Sequence, residues 1–430
     1  FAEDENVKVI AMYVEGIQDG QRFIQVARGV SKKKPIVFLK AGKNDAGAKA
    51  VSSHTGSLAG SYAAYQSALK QAGVIEVSTI NELFNVAWAL GSQPLPKGKR
   101  VAITTNAGGA AALAADSLDF NGFELAKIAP EVQAHLREKL NPSAQVSNPV
   151  DMLGSVSPED YLWSLGNLDK DDGVDVLLPI LVPQALVDTP GVANAWVEIG
   201  KQTKKTLLTC LMGERSTFES EQILNLNNVP VYTFPDQAGP VLKGLWEYKQ
   251  VLEKQIFEKV PFMAGDTMKI EHALTGIGER KVIGEYEARM LLDAYAIPNV
   301  PGGLAKSAEE AISIAEQVGF PVVLKIVAEG LIHKSDVGGI VLNLRNIEEL
   351  RVAYAELMQR IIANEPSAGI IGAMVEKMAK KGVEVIVGMR RDATFGPLIM
   401  FGMGGTMVEL VKDIQFRVAP LSTDDIRSMV

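Results

Sequence analysis

Ser52-Ser53-His54-Thr55-Gly56-Ser57-Leu58-Ala59-Gly60 sets one of the chain's four histidines among hydroxyls and glycines. An unperturbed imidazole is largely neutral near pH 7, so a ring nitrogen is free to act as a nucleophile and to carry a phosphoryl group. Thr55 and Ser57 can donate to phosphate oxygens, while Gly56 and Gly60 relax the backbone around them. The apolar run after Ser57 predicts a helix whose N-terminus attracts anions. The same residues also read as a histidine that merely caps a helix in a Ser/Gly-rich loop.

Other residues carry related chemistry. Glu15 follows the apolar run Val7 to Tyr13; a carboxylate held on one ring nitrogen would fix the tautomer and stabilise positive charge on a phosphorylated imidazole. Its plainer role is that of an exposed loop glutamate. Asn106-Ala107-Gly108-Gly109 lies between a buried strand and an alanine-rich helix, so backbone amides at the helix start can hold a phosphoryl group that the glycines let approach. Such turns also serve packing alone. Lys325 sits in an apolar strand where an ammonium can meet nucleotide phosphates, or where it is an ordinary edge-strand lysine. His333 is followed by Lys334, Ser335, Asp336 and two glycines, a small, polar setting like that of His54. His135 and His272 lie in charged or polar segments and are expected to be solvated.

These residues are positioned by alternating elements. Val7 to Tyr13, a helix from Gln21 to Val30 and Pro35 to Lys40 predict a strand-helix-strand unit. A helix through Tyr62, Tyr65 and Leu69 and a strand at Val74 to Val77 extend it into an open α/β layer. After a break at Pro94 to Lys99, strands are predicted at Val101 to Thr105, Val174 to Ile180, Thr206 to Met212 and Val229 to Tyr232, with a closing helix from Ala238 to Lys254. The remainder mixes strands, at Phe320 to Val327 and Val383 to Val387, with charged helices such as Glu285 to Tyr295.

Composition narrows the classes. With 47% hydrophobic and 22% charged residues, the chain reads as two to four globular domains. A net charge of −8 offers no footprint for nucleic acid or an anionic membrane surface; Lys32-Lys33-Lys34 reads as a solvated helix end. No apolar run approaches the roughly 20 residues that span a bilayer, and no signal peptide is evident, so a cytoplasmic location is expected. The single cysteine, Cys210, reads as core, and no zinc site is supported. Phe1 at the start, and a helix that begins after Ser422-Thr423, read as the ends of a piece of a longer protein.

The His54 string, Asn148-Pro149-Val150-Asp151 and Ile332-His333-Lys334-Ser335-Asp336-Val337-Gly338-Gly339 resemble the acyl-CoA synthetases (ADP- or NDP-forming), relatives of succinyl-CoA synthetase, across essentially all 430 residues. The resemblance implies an α/β fold: two flavodoxin-like CoA-ligase domains, the first partial, at 1–95 and 96–259, and a partial α+β ATP-grasp domain at 265–430. It implies that acyl-CoA, ADP and phosphate are exchanged for carboxylate, ATP and CoA. His54 is then the phosphate carrier, Glu15 its orienting carboxylate and His333 a second carrier. Thr55, Gly56, Ser57, Asn106, Gly108 and Gly109 face phosphate. Lys325, Glu376 and Glu384 bind nucleotide, with Met374 and Val375 as apolar walls. Implied cofactors are Mg²⁺, ATP/ADP and CoA, without assigned metal ligands; implied partners are a small carboxylic acid or its acyl-CoA, nucleotide and phosphate, and a homo-oligomer stays open. The alternative is a synthetase-like acyl-CoA-sensing module of a protein lysine acetyltransferase, against which the retention of His54 and His333 speaks.

Overall fold

The computed structural model describes residues 1–44, 46–47, 61–213, 215–254, 265–277, 283–329, 331, 334–405 and 413–430. They divide into two compact units, Phe1–Lys259 with Val385–Val430, and Val260–Glu384.

The first unit opens with strands β1 (Ile10–Val14), β2 (Ile36–Lys40) and β3 (Ile75–Val77), parallel and in that order. All five residues of β2 are buried. Ile36 and Phe38 face Ala27, Leu69 and Ala72, while Val37 and Leu39 face Leu83, Val86 and Ala89. A strand covered on both faces has no polar alternation to keep, which is why it reads as an unbroken apolar run. β1 begins at Ile10 rather than Val7. A second parallel sheet holds β4 (Arg100–Thr105), β5 (Glu124–Leu125), β6 (Val150–Asp151), β7 (Val176–Leu181), β8 (Thr206–Leu207), β9 (Thr209–Leu211) and β10 (Val231–Tyr232). Its order is β10-β9-β7-β4-β5, with β6 beside β4 and β8 beside β7. The run from Thr206 to Met212 is two strands: β8 pairs β7 alone, and β9 pairs both β7 and β10.

Helices cover both faces of this sheet, and the two cores are separate clusters. Cys210 is buried in one of them, and burial pushes its thiol up to about 12. The Pro94 to Lys99 break is stitched down: Thr206 Oγ1 donates to the Pro94 carbonyl at 2.9 Å and Lys249 Nζ to that of Lys97 at 2.7 Å. Lys32, expected in solvent, instead donates to the carbonyls of Val251 and Lys254, the latter at 2.8 Å, at the C-terminal end of the helix Ala238–Glu253. A cation there satisfies carbonyls that the helix cannot pair itself.

The helix Pro158–Asp169 is set by a capping box, Ser157 with Asp160. Ser157 Oγ accepts from the Asp160 amide at 3.2 Å, and Asp160 Oδ2 accepts from the Ser157 amide at 2.8 Å. Ser157→Ala is expected to cost about 1 kcal/mol, read as a lower denaturant midpoint at unchanged slope.

The second unit carries an antiparallel sheet of β11 (Gly302–Ala305), β12 (Val322–Glu329), β13 (Ile340–Leu344) and β14 (Gly369–Lys377), ordered β11-β14-β12-β13. Val322, Leu324 and Ile326 of β12 and Ala373 and Val375 of β14 point into a core shared with the helices Ala308–Val318 and Ile347–Asn364. Alternation therefore turns Lys325 and Glu376 to the opposite face.

Strands β15 (Val385–Asp392), β16 (Gly396–Met403) and β17 (Ile414–Val418) return to the first unit as an antiparallel sheet. Phe395, Leu398 and Val418 pack on Ile24, Ala64, Tyr65 and Ala68 of the helices Gly20–Ser31 and Tyr62–Ala72. Buried Gln71 imitates a neighbouring strand: its Oε1 accepts from the Val418 amide at 2.7 Å, and its Nε2 donates to the Val418 carbonyl at 2.9 Å. Ser61, which caps the helix Tyr62–Ala72, is held from the same sheet. Its amide donates to Asp392 Oδ2 at 3.2 Å, and its hydroxyl accepts from Arg390 Nη2.

Candidate functional site

Three parallel strands end together, and their carboxyl ends assemble a polar group in the first unit. Glu15 is the residue after β1 and is half-buried. The last residue of β2, Lys40, is 5% exposed, and its ammonium donates to the Glu15 carbonyl at 2.7 Å and to the Ala41 carbonyl. It lies 4.7 Å from the centre of the Tyr65 ring, whose hydroxyl accepts from the Ile17 amide at 3.0 Å. Burial lowers the pKa of Lys40, against the Glu15 carboxylate, which raises it. Lys40 and Tyr65 thus hold the bend that presents Glu15 from two sides.

Beside them, Lys43 Nζ lies 3.3 Å from Glu76 Oε1, which also accepts from the Tyr62 hydroxyl at 2.7 Å. Burial and the Glu76 carboxylate push the Tyr62 phenol up. Lys40, Lys43 and Glu15 thus stand as one charged group at the carboxyl ends of these strands. His54, Thr55, Gly56 and Ser57 themselves lie outside the described residues, as does His333.

The helix Gly108–Phe120 begins at the carboxyl end of β4, and no side chain caps it. Its first amides are unpaired within a helix by geometry, and they point along a dipole that favours anions. Gly109 has open space where a Cβ would stand. The Asn106 side chain also works within the fold. Its side chain accepts from the Val182 amide at 2.9 Å and donates to the Val182 carbonyl at 2.8 Å, pinning the ends of β4 and β7. Asn148, before the cis Asn148–Pro149 bond, pairs with β4 in the manner of a neighbouring strand, accepting from the Ile103 amide at 3.0 Å and donating to the Val101 carbonyl at 2.7 Å. The Asp151 carboxylate lies 3.2 Å from where a Gly108 Cβ would be, so this glycine permits a close approach.

In the second unit, Lys325 Nζ bonds Glu376 Oε2 at 2.8 Å and Glu285 Oε1 at 2.6 Å. Glu376 also takes Arg289 Nη1 at 2.7 Å, and Glu285 takes Lys334 Nζ at 2.6 Å. Burial disfavours the charge on Lys325, yet its bonds to Glu285 and Glu376 carry its pKa above the ordinary value. Burial likewise opposes ionisation of Glu285, and the two lysines overcome it and hold its carboxyl below the ordinary value. Lys325 and Glu376 are thus brought together, while Glu384 is exposed just ahead of β15. Met374 shares the Lys325 face, but Val375 does not line it: strand alternation sends Val375 into the helix-covered core.

Sequence reasoning missed Lys40, Lys43, Glu285 and Arg289, because each acquires its role from a partner distant in sequence. Among the described residues no group of three His, Cys, Asp or Glu side chains is arranged to hold a metal ion, and no helix is long and apolar enough to cross a membrane. His135 and His272 are exposed on helices, as expected of solvated histidines.

Comparison with known proteins accounts for this sequence of elements. Residues 1–90 match a succinyl-CoA ligase like flavodoxin domain, 101–234 a ligase-CoA domain and 276–430 an ATP-grasp domain. The chain is 41% identical to acetate–CoA ligase [ADP-forming] I of Archaeoglobus fulgidus, over the whole of this chain and 62% of that protein. It is 38% identical, over 168 residues, to acetate–CoA ligase [ADP-forming] II subunit beta of Pyrococcus furiosus, covering 39% of this chain and 71% of that subunit. The structure of acetyl-coenzyme A synthetase 1 of Ca. Korarchaeum cryptofilum in complex with phosphate and ADP matches with a TM-score of 0.55 at 32% identity, over 58% of this chain and 55% of that one. The chain therefore spans less than two thirds of the length of the first of these relatives. Flavodoxin-like CoA-ligase domains followed by an ATP-grasp domain, with this degree of identity, show that the chain belongs to the ADP-forming acyl-CoA synthetases of the acetate–CoA ligase type, within the succinyl-CoA ligase-like superfamily.

Proposed function

We propose that the protein to which this chain belongs interconverts acyl-CoA, ADP and phosphate with a carboxylate, ATP and CoA through a phosphohistidine. The observation that carries this reading is the 41% identity to an ADP-forming acetate–CoA ligase along the entire chain. Phosphate attacks the thioester carbonyl, CoA leaves as the thiol and an acyl phosphate forms. A ring nitrogen of His54 then attacks phosphorus, and the carboxylate leaves. Glu15, braced by Lys40, supports the imidazole from its other nitrogen and offsets the positive charge of the phosphorylated ring. The amides of Gly108 and Gly109 hold phosphoryl oxygens at the helix start, and Asn106, whose side chain bonds Val182, sets the turn from which it faces them.

His333 is the second carrier in this proposal, and it delivers the phosphoryl group to ADP beside Lys325, Glu376 and Glu384. The domain bounds proposed are 1–95, 96–259 and 265–430. Mg²⁺ enters only as the counter-ion of the nucleotide's own phosphates.

The test uses full-length protein with acetyl-CoA, ADP and radiolabelled phosphate. ATP should form, and the chain should carry label that is lost in acid and kept in base. ATP synthesis without any labelled protein would replace the phosphohistidine by direct transfer; neither ATP nor label, across a panel of acyl-CoAs, would sink the activity.

A further inference from the structure

The five charged groups on the open face of the β11-β14-β12-β13 sheet are unequal. Glu376 is 10% exposed in its side chain and is committed to Arg289 and Lys325. Glu285 is 37% exposed, the most open of the five, and it bonds Lys325 and Lys334 at 2.6 Å each. It is the first residue of the helix Glu285–Ala294, so it reaches the lysines from a separate element rather than from the sheet. Of the groups bonded to Lys325, this carboxylate is the one more open to solvent. Resting on the nucleotide reading of Lys325, we infer that Glu285 is an internal competitor for the nucleotide's phosphates: it occupies the donors of Lys325 that a phosphate needs, and it must give them up when a nucleotide binds.

The arrangement makes this exchange inexpensive. Once released, Lys325 keeps Glu376 at 2.8 Å, so the ammonium is never buried alone. Glu285 keeps Lys334, and its exposure lets water take the donors' place. If the carboxylate stayed within reach of a bound phosphate, like charges would repel, so either outcome makes Glu285 a cost to phosphate binding. A residue that positioned Lys325 for the phosphate would have the opposite sign. Its removal would weaken binding.

The experiment is calorimetric titration of full-length wild type, Glu285→Gln and Glu285→Ala with ADP and, separately, with adenosine, which lacks phosphate. Both variants are expected to bind ADP about fivefold more tightly than wild type, with adenosine affinity unchanged. Two variants guard against one of them misfolding, and unaltered adenosine binding certifies the pocket. ADP affinity that is unchanged or weaker in a variant whose adenosine binding is intact overturns the inference alone. A wild-type protein that binds neither ligand overturns the nucleotide reading, and the inference falls with it.

Discussion

Full-length protein carrying His54→Ala is expected to take no label from acyl-CoA and phosphate, and its rate of ATP formation should fall by at least about a thousandfold. The expectation follows from what a carrier does. A general base can be replaced by water at some cost, but an atom that forms a bond to phosphorus has no substitute in alanine. Labelling from ATP in the reverse direction should vanish equally, because both half-reactions share one intermediate. Acyl phosphate production is not expected to vanish, since that step precedes the histidine, and trapping it with hydroxylamine would place the block. Full labelling and turnover in this variant would show that another residue carries the phosphoryl group.

The second large effect is expected at Lys40, which nothing in the local sequence marks. Lys40→Met removes a buried cation and leaves the carbonyls of Glu15 and Ala41 without their donor. The bend after β1 then loses the brace that presents Glu15, and the carboxylate loses a neighbouring positive charge. The yield of phosphohistidine should fall by about thirtyfold to a hundredfold, with ADP binding in the second unit unchanged. Because Lys40 acts through Glu15, Glu15→Gln with Lys40→Met should be little worse than the more damaging single variant. Losses that multiply would show that Lys40 works independently of Glu15. A circular-dichroism melt of each protein separates this effect from general destabilisation.

The parallel sheets were legible because burial on both faces writes each strand as an unbroken apolar run: β2 and β7 were placed within one or two residues. The antiparallel elements were harder. β13 reads Ile340-Val341-Leu342-Asn343-Leu344 with only Leu344 buried, and β15 exposes Val385, Val387 and Met389, so their patterns do not report a core. Lys40 escapes notice for a related reason. A lysine ending an apolar strand looks solvated, and Lys40 is buried only because a carbonyl 25 residues earlier turns to meet it. Lys325 stands out in its apolar strand, but its partner Glu285 lies 40 residues away on a helix, and only the fold discloses that pairing. Asn106 shows the converse: its glycine turn reads as a ligand contact in the sequence, and the clamp it makes between two strands is visible only in the fold.

The grip of β15 on Ser61 sets a tether length. Ser61 is fastened by Asp392 and Arg390, and seven chain steps separate it from His54. Fully drawn out, seven residues cover at most about 25 Å. Chain length alone puts the His54 Cα inside a sphere of that radius about one anchored point, and any group its imidazole serves lies no more than roughly 8 Å beyond it. Lengthening the leash by inserted glycines would enlarge the sphere, whereas cutting the Asp392 mooring would free its centre.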